Sequence, residues 1–374
     1  MKILINLARI IVGVLFIFSG LVKANDPLGL SYKMQEFFEL WGMHALNDYT
    51  LAFSIAMIAF EIIAGVAVLV GWKMNLFSWL LLLLIIFFTF LTGYAVITGK
   101  PKECGCFGDC IPLSASQSFM KDLILLALIL FLFIYRHRIQ PIFNTRNNIL
   151  TLFFSAVFSF AFMWYTLLHL PVVDCLPYKV GKNIFNEMKI KEGAQKDSTV
   201  ITFVYEKEGK ELEFTADKFP DDFNDSLYKF IKRYDKVIRE GNALPKIKDF
   251  SLTNAQGQEE TEQVLAAEGY KLLWFLGQDW KEGRWVMFAD ALAKESAEKS
   301  IPSILVTSIS LEQLSKRPIA LFSRATPYTC DATAVKTAAR ANPTLYLLKR
   351  DSIVNKWSYA DLEVAIKYIR ALKQ

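Results

Sequence analysis

The sequence predicts a membrane α-helical bundle joined to an α/β soluble domain, and the uneven composition of the chain is the first reason. Up to about His169 the chain is dominated by Leu, Ile, Phe and Ala, whereas the remainder has many Lys and Glu residues. Strand-like and helix-like segments alternate in that remainder. A length of 374 residues is enough for two or three domains. The net charge of +5 is spread out without a basic run, so we expect no nucleic-acid partner.

Five segments are apolar over the roughly 20 residues that a membrane-spanning helix needs. They are Leu4–Val22, Thr50–Val70, Leu76–Ile97, Phe119–Tyr135 and Leu150–Leu170. The first segment has an alternative interpretation as a signal peptide, because Lys2 and Arg9 precede or enter its apolar core. A retained helix is favoured, since Lys23 interrupts the small-residue cleavage pattern. The lipid bilayer is therefore a predicted partner.

Five crossings would place the two chain ends on opposite sides of the membrane. Lys and Arg near the helix ends favour a cytoplasmic N-terminus by six residues to five, with the loop at 135–148 as the clearest contributor. In this orientation the cysteine-bearing loop lies on the periplasmic side of the membrane, where disulfides persist. We expect a multi-pass protein of the bacterial inner membrane with a periplasmic C-terminal domain.

A loop at residues 100–112, KPKECGCFGDCIP, carries three of the five cysteines, Cys104, Cys106 and Cys110. Cys175 follows the last apolar segment, and five crossings put it on the same side. Cys106 and Cys110 can bridge across a tight turn, whereas a Cys104–Cys106 bond would be strained and reactive. A structural clip from Cys104 or Cys110 to Cys175 and a redox-active relay are both open. Zinc is a third alternative that lacks the paired CxxC spacing, so no metal is predicted.

Charged residues bear on the chemistry of this loop and of the bundle. Near the loop, Lys100 and Lys102 favour thiolates, while Glu103 and Asp109 oppose them. Within the second span, Glu61 is a mid-helix carboxylate, which by default indicates function.

Lys23 ends the first span at the outer interface of the membrane. Either Lys23 snorkels while Glu61 is neutral or bonded to another helix, or the two side chains pair, or Glu61 handles protons near a quinone-like ligand. Lys121 and Asp122 are interpreted as the charged start of the fourth span.

Three motifs together resemble the DoxX/MauE superfamily of four-helix membrane proteins: FSGLVKANDPLG at 18–29, FEIIAG at 60–65 and CGCFG at 104–108. The resemblance covers residues 1–138. It implies quinone-linked sulfur oxidation or disulfide formation in exported enzymes, with a quinone as the possible cofactor. The fifth span and long tail are similar to extended DoxX proteins of Bacteroidetes-type bacteria.

The helical core also resembles membrane dithiol oxidoreductases related to vitamin K epoxide reductase. That family carries a CxxC at its quinone site, and this chain has no CxxC. The candidate catalytic residues are the three loop cysteines, the cysteine after the last span and the mid-helix carboxylate, namely Cys104, Cys106, Cys110, Cys175 and Glu61.

The region after the last span predicts two small folded units. In the first, Val200–Tyr205 and Glu211–Thr215 predict a hairpin, and Asp222–Arg239 predicts a helix. A boundary falls at Ala243–Pro245. The second unit has predicted strands and helices in the order strand Lys271–Leu276, helix Trp285–Lys299, strand Ser303–Ser308, helix Leu311–Lys316, strand Ile319–Phe322, strand Leu345–Lys349, strand Ser352–Trp357 and helix Tyr359–Leu372.

This second unit resembles a thioredoxin fold, with Pro343 at the position of the cis-proline of that family. Residues 276–285, LGQDWKEGRW, stand where the family carries its CxxC, and they hold no cysteine. The domain is therefore expected to bind rather than react. Trp280 and Trp285 are interpreted as packing aromatics unless exposed, and Cys330 as a small buried side chain.

The sequence thus predicts four regions: a helical domain at 1–138, a fifth span and exit segment at 139–178, a mixed linker at 179–244 and a thioredoxin-like domain at 245–374. Two functions remain open. One is a membrane redox protein that passes electrons between periplasmic thiols and a membrane acceptor. The other is a non-enzymatic assembly or scaffold subunit with structural disulfides, whose exported domain docks a periplasmic protein or a membrane subunit.

Overall fold

A computed structural model of the protein describes residues 1–101, 105, 107–190, 193, 198–207, 209–215, 218–220, 223–224, 227–239, 245–278, 280–316 and 324–372. The predictions on Cys104, on Cys106 and on a strand over Ile319–Phe322 lie outside these residues.

The N-terminal part of the described chain is helical. Its long helices are α1 (Lys2–Ala24), α2 (Pro27–Leu40), α3 (Thr50–Val70), α4 (Met74–Thr98), α5 (Ala115–Ile134) and α6 (Thr145–Leu168). All except α2 are long and apolar enough to cross a membrane, and a 3₁₀ turn at His44–Tyr49 leads into α3. The five predicted spans are therefore confirmed, and the protein is a multi-pass membrane protein.

Polar caps extend two of the spans beyond their apolar stretches. Helix α5 begins after Ser114, whose hydroxyl accepts the Gln117 N–H while the Gln117 side chain accepts the Ser114 N–H. Helix α6 begins after Asn144, whose side chain accepts the Asn147 N–H at 2.9 Å. The interpretation of Asp122 as a helix start is therefore wrong, because it lies inside α5 and is fully buried.

Helices α1 and α3 lie close together in the bundle, and small residues allow their approach. A Cβ atom at Gly65 would lie 2.9 Å from the Gly13 carbonyl oxygen and 3.0 Å from the Ile17 nitrogen. Both are backbone atoms, so even alanine would push the helices apart. This close contact brings side chains of α1 directly onto those of α3.

Helix α2 was not predicted from the sequence, because it is too short and too polar to be recognised as a membrane-spanning helix. It begins at Pro27 after Asp26, whose carboxylate accepts the Gly29 N–H at 3.0 Å. The Ser54 hydroxyl of α3 donates to the Pro27 carbonyl at 2.8 Å. Helix α2 is thereby fixed against one end of the bundle, between the ends of α1 and α3.

A short helix α7 (Ile184–Met188) leads to a three-stranded antiparallel sheet of β1 (Ser198–Lys207), β2 (Lys210–Thr215) and β3 (Lys229–Arg239), in the order β2-β1-β3. The predicted hairpin is confirmed. The predicted helix over Asp222–Arg239 is wrong, because residues 229–239 pair with β1. Apolar residues in that stretch do recur at helical spacing, but its β-branched and aromatic side chains suit pairing with β1.

The C-terminal part carries a five-stranded sheet in the order β6-β5-β4-β7-β8. Its elements are α8 (Thr261–Ala266), β4 (Tyr270–Leu276), α9 (Trp285–Glu298), β5 (Ser303–Thr307), α10 (Leu311–Ser315), β6 (Thr326–Thr329), α11 (Ala332–Ala338), β7 (Thr344–Lys349), β8 (Ser352–Ser358) and α12 (Leu362–Ala371). Strands β4, β5 and β6 are parallel, while β7 and β8 run antiparallel to their neighbours. We call residues 270–372 the sheet region.

Each face of this sheet packs into an apolar cluster, as expected because β4 is apolar over residues 272–276. Leu272, Trp274 and Leu276 join one apolar cluster, and Leu273 and Phe275 join the other. The peptide bond between Asn342 and Pro343 is cis. The α/β character predicted for this part of the chain is therefore confirmed.

Candidate redox and docking site at one end of the bundle

A disulfide joins Cys110, in the loop between α4 and α5, to Cys175, which follows α6. The two Cα atoms lie 4.8 Å apart, across 65 residues of chain. Both cysteines are half-buried. The bond is one of the clips that the sequence left open, and it uses the Cys110 sulfur that a Cys106–Cys110 bridge would need. We call the end of the bundle that carries it the thiol end.

The segment that carries Cys175 is held by the C-terminal end of α1. The Asn25 side chain donates to the Val173 carbonyl at 2.8 Å and accepts the Val173 N–H at 2.9 Å. The Thr166 hydroxyl donates to the Ala24 carbonyl at 2.9 Å. Because the side chains of Asn25 and Thr166 are buried, these hydrogen bonds satisfy polar atoms that have lost their water.

Arg340 of the sheet region binds two carboxylates at the thiol end. Its Nε lies 2.8 Å from an Asp26 oxygen, and a terminal nitrogen lies 2.7 Å from an oxygen of Asp109. Arg340 is only 5% exposed. Burial by itself lowers the pKa of Arg340, but the carboxylates of Asp26 and Asp109 outweigh it and raise the pKa, so the guanidinium stays charged. The guanidinium also lies over the Tyr32 ring of α2.

A second ion pair repeats this arrangement at the other cysteine. Lys356 of β8 lies 2.6 Å from a carboxylate oxygen of Asp174, the residue before Cys175. Burial lowers the pKa of Lys356, and Asp174 offsets part of that shift. His169, at the end of α6, lies 2.8 Å from Asp361 and adds a third contact. Each cysteine of the disulfide therefore follows an aspartate that binds a cation of the sheet region.

These contacts change how the charges near the thiols act. The sequence suggested that Asp109 opposes thiolate formation at Cys110. In the fold its charge is balanced by Arg340, so it no longer acts as a lone anion beside the sulfur. Sequence reasoning missed Arg340, Lys356, Asp26 and Asp174, and the only local signal was the repeated Asp-Cys pair at 109–110 and 174–175.

Within the bundle, Lys23 of α1 and Glu61 of α3 form a buried ion pair. The Lys23 Nζ lies 2.5 Å from Glu61 Oε1, and the two side chains are 4% and 1% exposed. The Ser19 hydroxyl donates to the second Glu61 oxygen at 3.2 Å. The ammonium also lies 5.1 Å from the centre of the Phe88 ring. The paired arrangement is thus the one found among those that the sequence left open.

Asp122 is a second buried carboxylate in the bundle. It accepts the Thr92 hydroxyl at 3.0 Å, and its other oxygen lies 2.7 Å from the Lys121 ammonium. Glu61 and Asp122 therefore both sit in hydrogen-bonded, charge-compensated positions inside the bundle.

Three other residues singled out from the sequence, Cys330, Trp280 and Trp285, lie in the sheet region. Cys330 is a free, buried thiol in one apolar cluster of the sheet, and burial raises its pKa to about 11. Trp280 and Trp285 are 5% and 4% exposed and pack against each other, which confirms their packing role. Cys104 and Cys106 lie outside the described residues, but Gly105 between them is described. A Cβ atom there would meet the Lys33 side chain of α2 at 3.0 Å.

Comparison with known proteins finds similarity to two family models and to one curated protein. Residues 1–135 match the family model described as methylamine utilisation protein MauE. Residues 199–240 match a model described as a domain of unknown function, DUF8463. Protein TlpB of Flavobacterium psychrophilum is 27% identical over 148 residues, which is 37% of this chain and 38% of TlpB. No solved structure matches the chain.

The fold and the comparison together define the class: a multi-pass membrane protein that carries a disulfide at one end of its helical bundle. More particularly, its N-terminal part is a MauE-like membrane domain, and an α/β part with two sheets follows it. The MauE resemblance noted from the three motifs is therefore confirmed.

The Arg340 contacts predict a specific weakness. Arg340→Ala leaves the carboxylates of Asp26 and Asp109 without their cation. Loss of one partner of a buried ion pair lowers the free energy of unfolding by about 3 kcal/mol or more. We expect a smaller loss here, because Asp109 is partly solvated. We expect a lower thermal midpoint and faster proteolysis between the bundle and the sheet region, measured on the full chain in lipid nanodiscs.

Arg370→Ala is the matched control, because it breaks an ion pair with Glu295 on α9 in which Arg370 is 68% exposed. It should leave the midpoint and the cleavage rate unchanged. If Arg340→Ala behaves like this control, the ion pairs do not hold the sheet region to the bundle.

The Lys23–Glu61 pair predicts strong coupling between two substitutions. Lys23→Met or Glu61→Gln alone leaves one buried polar partner without its counterpart, at a cost of about 3–5 kcal/mol for a lost charge partner. The double variant removes both charges, so its loss of stability should be well below the sum of the single losses. Thermal unfolding of the four proteins in one detergent measures this coupling, and additive losses would show that the two groups do not interact.

Proposed function

We propose that the protein is a thiol–disulfide redox protein of the bacterial inner membrane, which exchanges electrons between periplasmic thiols and an acceptor in the membrane. The observation that carries the proposal is the half-buried Cys110–Cys175 disulfide, because its Cys110 belongs to the same loop of the sequence as Cys104 and Cys106. The N-terminus is assigned to the cytoplasm and the sheet region to the periplasm. The MauE-like domain supports a role in disulfide chemistry.

The proposed relay is a sequence of thiol–disulfide exchanges. A periplasmic dithiol attacks the Cys110–Cys175 bond, becomes a disulfide itself and leaves two thiols on the protein. Those thiols are oxidised again by exchange with a Cys104–Cys106 disulfide, whose thiols then pass two electrons and two protons to the membrane acceptor. A disulfide between Cys104 and Cys106 would be strained, and a strained bond accepts electrons readily.

Glu61 is proposed to assist proton movement in the second half of this relay. It is buried, and it is bonded to Lys23 and Ser19, which are side chains that exchange protons or reorient hydrogen bonds. Its contribution is a pathway for the two protons that accompany the electrons.

The sheet region is proposed to be a thioredoxin-like domain that binds rather than reacts. Support comes from the central β4, which has parallel β5 on one side and antiparallel β7 and β8 on the other. Described residues at the position of the missing CxxC hold no cysteine, and the Gly277 N–H donates to Asn342 there. Its task is to keep the thiol end in place through Arg340 and Lys356.

A scaffold role is the second candidate, and one observation favours it. The disulfide is flanked on both sides by ion pairs to the sheet region, as a fixed structural clip would be. A clip across 65 residues stabilises by the loss of unfolded-state entropy, about 2–4 kcal/mol. In that case the cysteines carry no electrons, and the sheet region is a docking surface for a periplasmic protein or membrane subunit.

The two candidates predict different effects of cysteine variants. Under the redox proposal, Cys106→Ser blocks the exchange that returns Cys110 and Cys175 to the disulfide. The rate at which membranes containing the variant oxidise an added model dithiol, followed with a thiol reagent, should fall at least tenfold. Cys330→Ser is the control and should leave the rate unchanged, because this thiol is buried in the sheet core.

Protein abundance separates this result from a folding defect. If Cys106→Ser and Cys110→Ser lower only the amount or the thermal midpoint of the protein, while the oxidation rate per molecule stays equal to wild type, the scaffold role is correct.

A further inference from the structure

The end of the bundle opposite the thiol end carries many cations and no carboxylate of its own. It is formed by residues 1–9, 70–76 and 135–148, where α1 begins and where the chain turns from α3 to α4 and from α5 to α6. These three stretches contain no Asp or Glu, and their Lys and Arg residues are Lys2, Arg9, Lys73, Arg136, Arg138 and Arg146. We call this end of the bundle the basic end. Its positive charge requires an anion that these stretches do not supply.

Arg9 is a buried member of this set. It lies about two turns into α1 and is 8% exposed. Its Nη1 donates to the Gln140 carbonyl over a long 3.5 Å, and its Nε is buried without a hydrogen-bond partner. The Nη2 atom has no hydrogen-bond partner among the described residues either, but it is not one of the fully buried atoms, so it remains accessible. Because a buried charge without a counter-ion is costly, the guanidinium of Arg9 has donors available for an anion.

The nearby C-terminal end of α3 does not account for these donors. A cation beside the end of a helix often binds the last free carbonyls of that helix. Here the Trp72 N–H donates to the Ala67 carbonyl at 3.0 Å, and the Ile142 N–H donates to the Val70 carbonyl at 2.9 Å. The end of α3 is thus capped by backbone groups, and Arg9 is not needed for this purpose.

Two further cations come close to the Arg9 guanidinium. A Cβ atom at Gly71 would lie 2.9 Å from its Nη1, so the turn after α3 packs directly against it, as Gln140 does from the other side chain segment. Lys73 and Arg138 each lie two residues from one of these contacts, a distance of at most about 7 Å along the backbone. Both side chains are exposed. Three cations from three separate stretches therefore converge on one place.

Surrounding side chains indicate that this place is at the membrane surface. Trp79, less than two turns after Lys73 on α4, is 51% exposed, and Trp is typical of the headgroup level of a bilayer. Leu7 and Ile10 on either side of Arg9 in α1 are 53% and 50% exposed, as lipid-facing side chains are. The Arg9 guanidinium is thus close to the level at which lipid phosphates lie.

We propose that Arg9, with Lys73 and Arg138, binds the headgroup phosphate of an anionic phospholipid at the basic end. The fork of a guanidinium matches two oxygens of a phosphate, and the two exposed cations add charge around it. A headgroup with a net negative charge fits this set, whereas the choline of phosphatidylcholine would meet other cations. Basic pockets between membrane helices bind lipid headgroups in this way. The proposal goes beyond the thiol chemistry and does not depend on it.

Native mass spectrometry of the full-length protein in detergent micelles tests the site. The probes are phosphatidylglycerol and phosphatidylcholine with identical acyl chains. We expect one phosphatidylglycerol molecule to bind about tenfold more tightly than phosphatidylcholine or better, because a charge-assisted contact distinguishes them. Equal affinities for the two lipids would overturn the proposal. Inorganic phosphate at matched ionic strength should not displace the lipid, and displacement would identify a site for free phosphate instead.

A matched pair of variants separates this site from the general charge of the basic end. Arg9→Gln should remove the preference for phosphatidylglycerol, whereas Arg146→Gln, which removes one exposed charge from the same end, should retain it. An equal loss of preference in both variants would show a general charge effect and overturn the proposal, as would a folded Arg9→Gln variant that keeps the preference.

The thermal midpoint and the Cys110–Cys175 disulfide report whether each variant is folded. If Arg9→Gln is unstable, the double variant Lys73→Gln/Arg138→Gln takes its place, because both of these side chains are exposed. It should lower the preference for phosphatidylglycerol more than Arg146→Gln does. An unchanged preference in the folded double variant would contradict the convergence of the three cations on one phosphate.

Discussion

Two ion pairs on either side of one disulfide determine how this molecule is put together. Asp109 and Asp174 each precede a cysteine of the Cys110–Cys175 bond, and each binds a buried or nearly buried cation of the sheet region. Such charges are costly to bury alone and favourable only when paired in good geometry. In the observed position of the sheet region, each of these four charges has an oppositely charged partner at the thiol end of the bundle.

Buried charges in the membrane part must also be paired, but there their partners are other side chains of the bundle. Lipid offers no hydrogen bonds, so the carboxylates of Glu61 and Asp122 must find partners on neighbouring side chains. Lys23 and Thr92 supply those partners. The close approach of α1 and α3 at Gly13 and Gly65 brings Lys23 onto Glu61.

Much of the architecture followed from the sequence, because hydropathy over 20 residues is a strong local signal. The five spans and β4 were predicted within a few residues. The helical spacing of apolar residues at 229–239 led to a wrong prediction of a helix, because pairing with β1 determines that this segment is a strand. The disulfide partner of Cys175 was undetermined, because four cysteines allow three pairings. Arg340 was missed because 314 and 231 residues separate it from Asp26 and Asp109, and no local pattern reports such contacts.

The redox state of Cys110 and Cys175 in working membranes tests the central claim most directly. Membranes would be mixed with a reduced periplasmic-type dithiol, quenched with acid at short intervals and alkylated with isotope-coded reagents before and after reduction. The account predicts that both thiols appear together and return to the disulfide only while an oxidised membrane acceptor is present. A disulfide that stays fully formed at every interval, while the dithiol remains reduced, would contradict it.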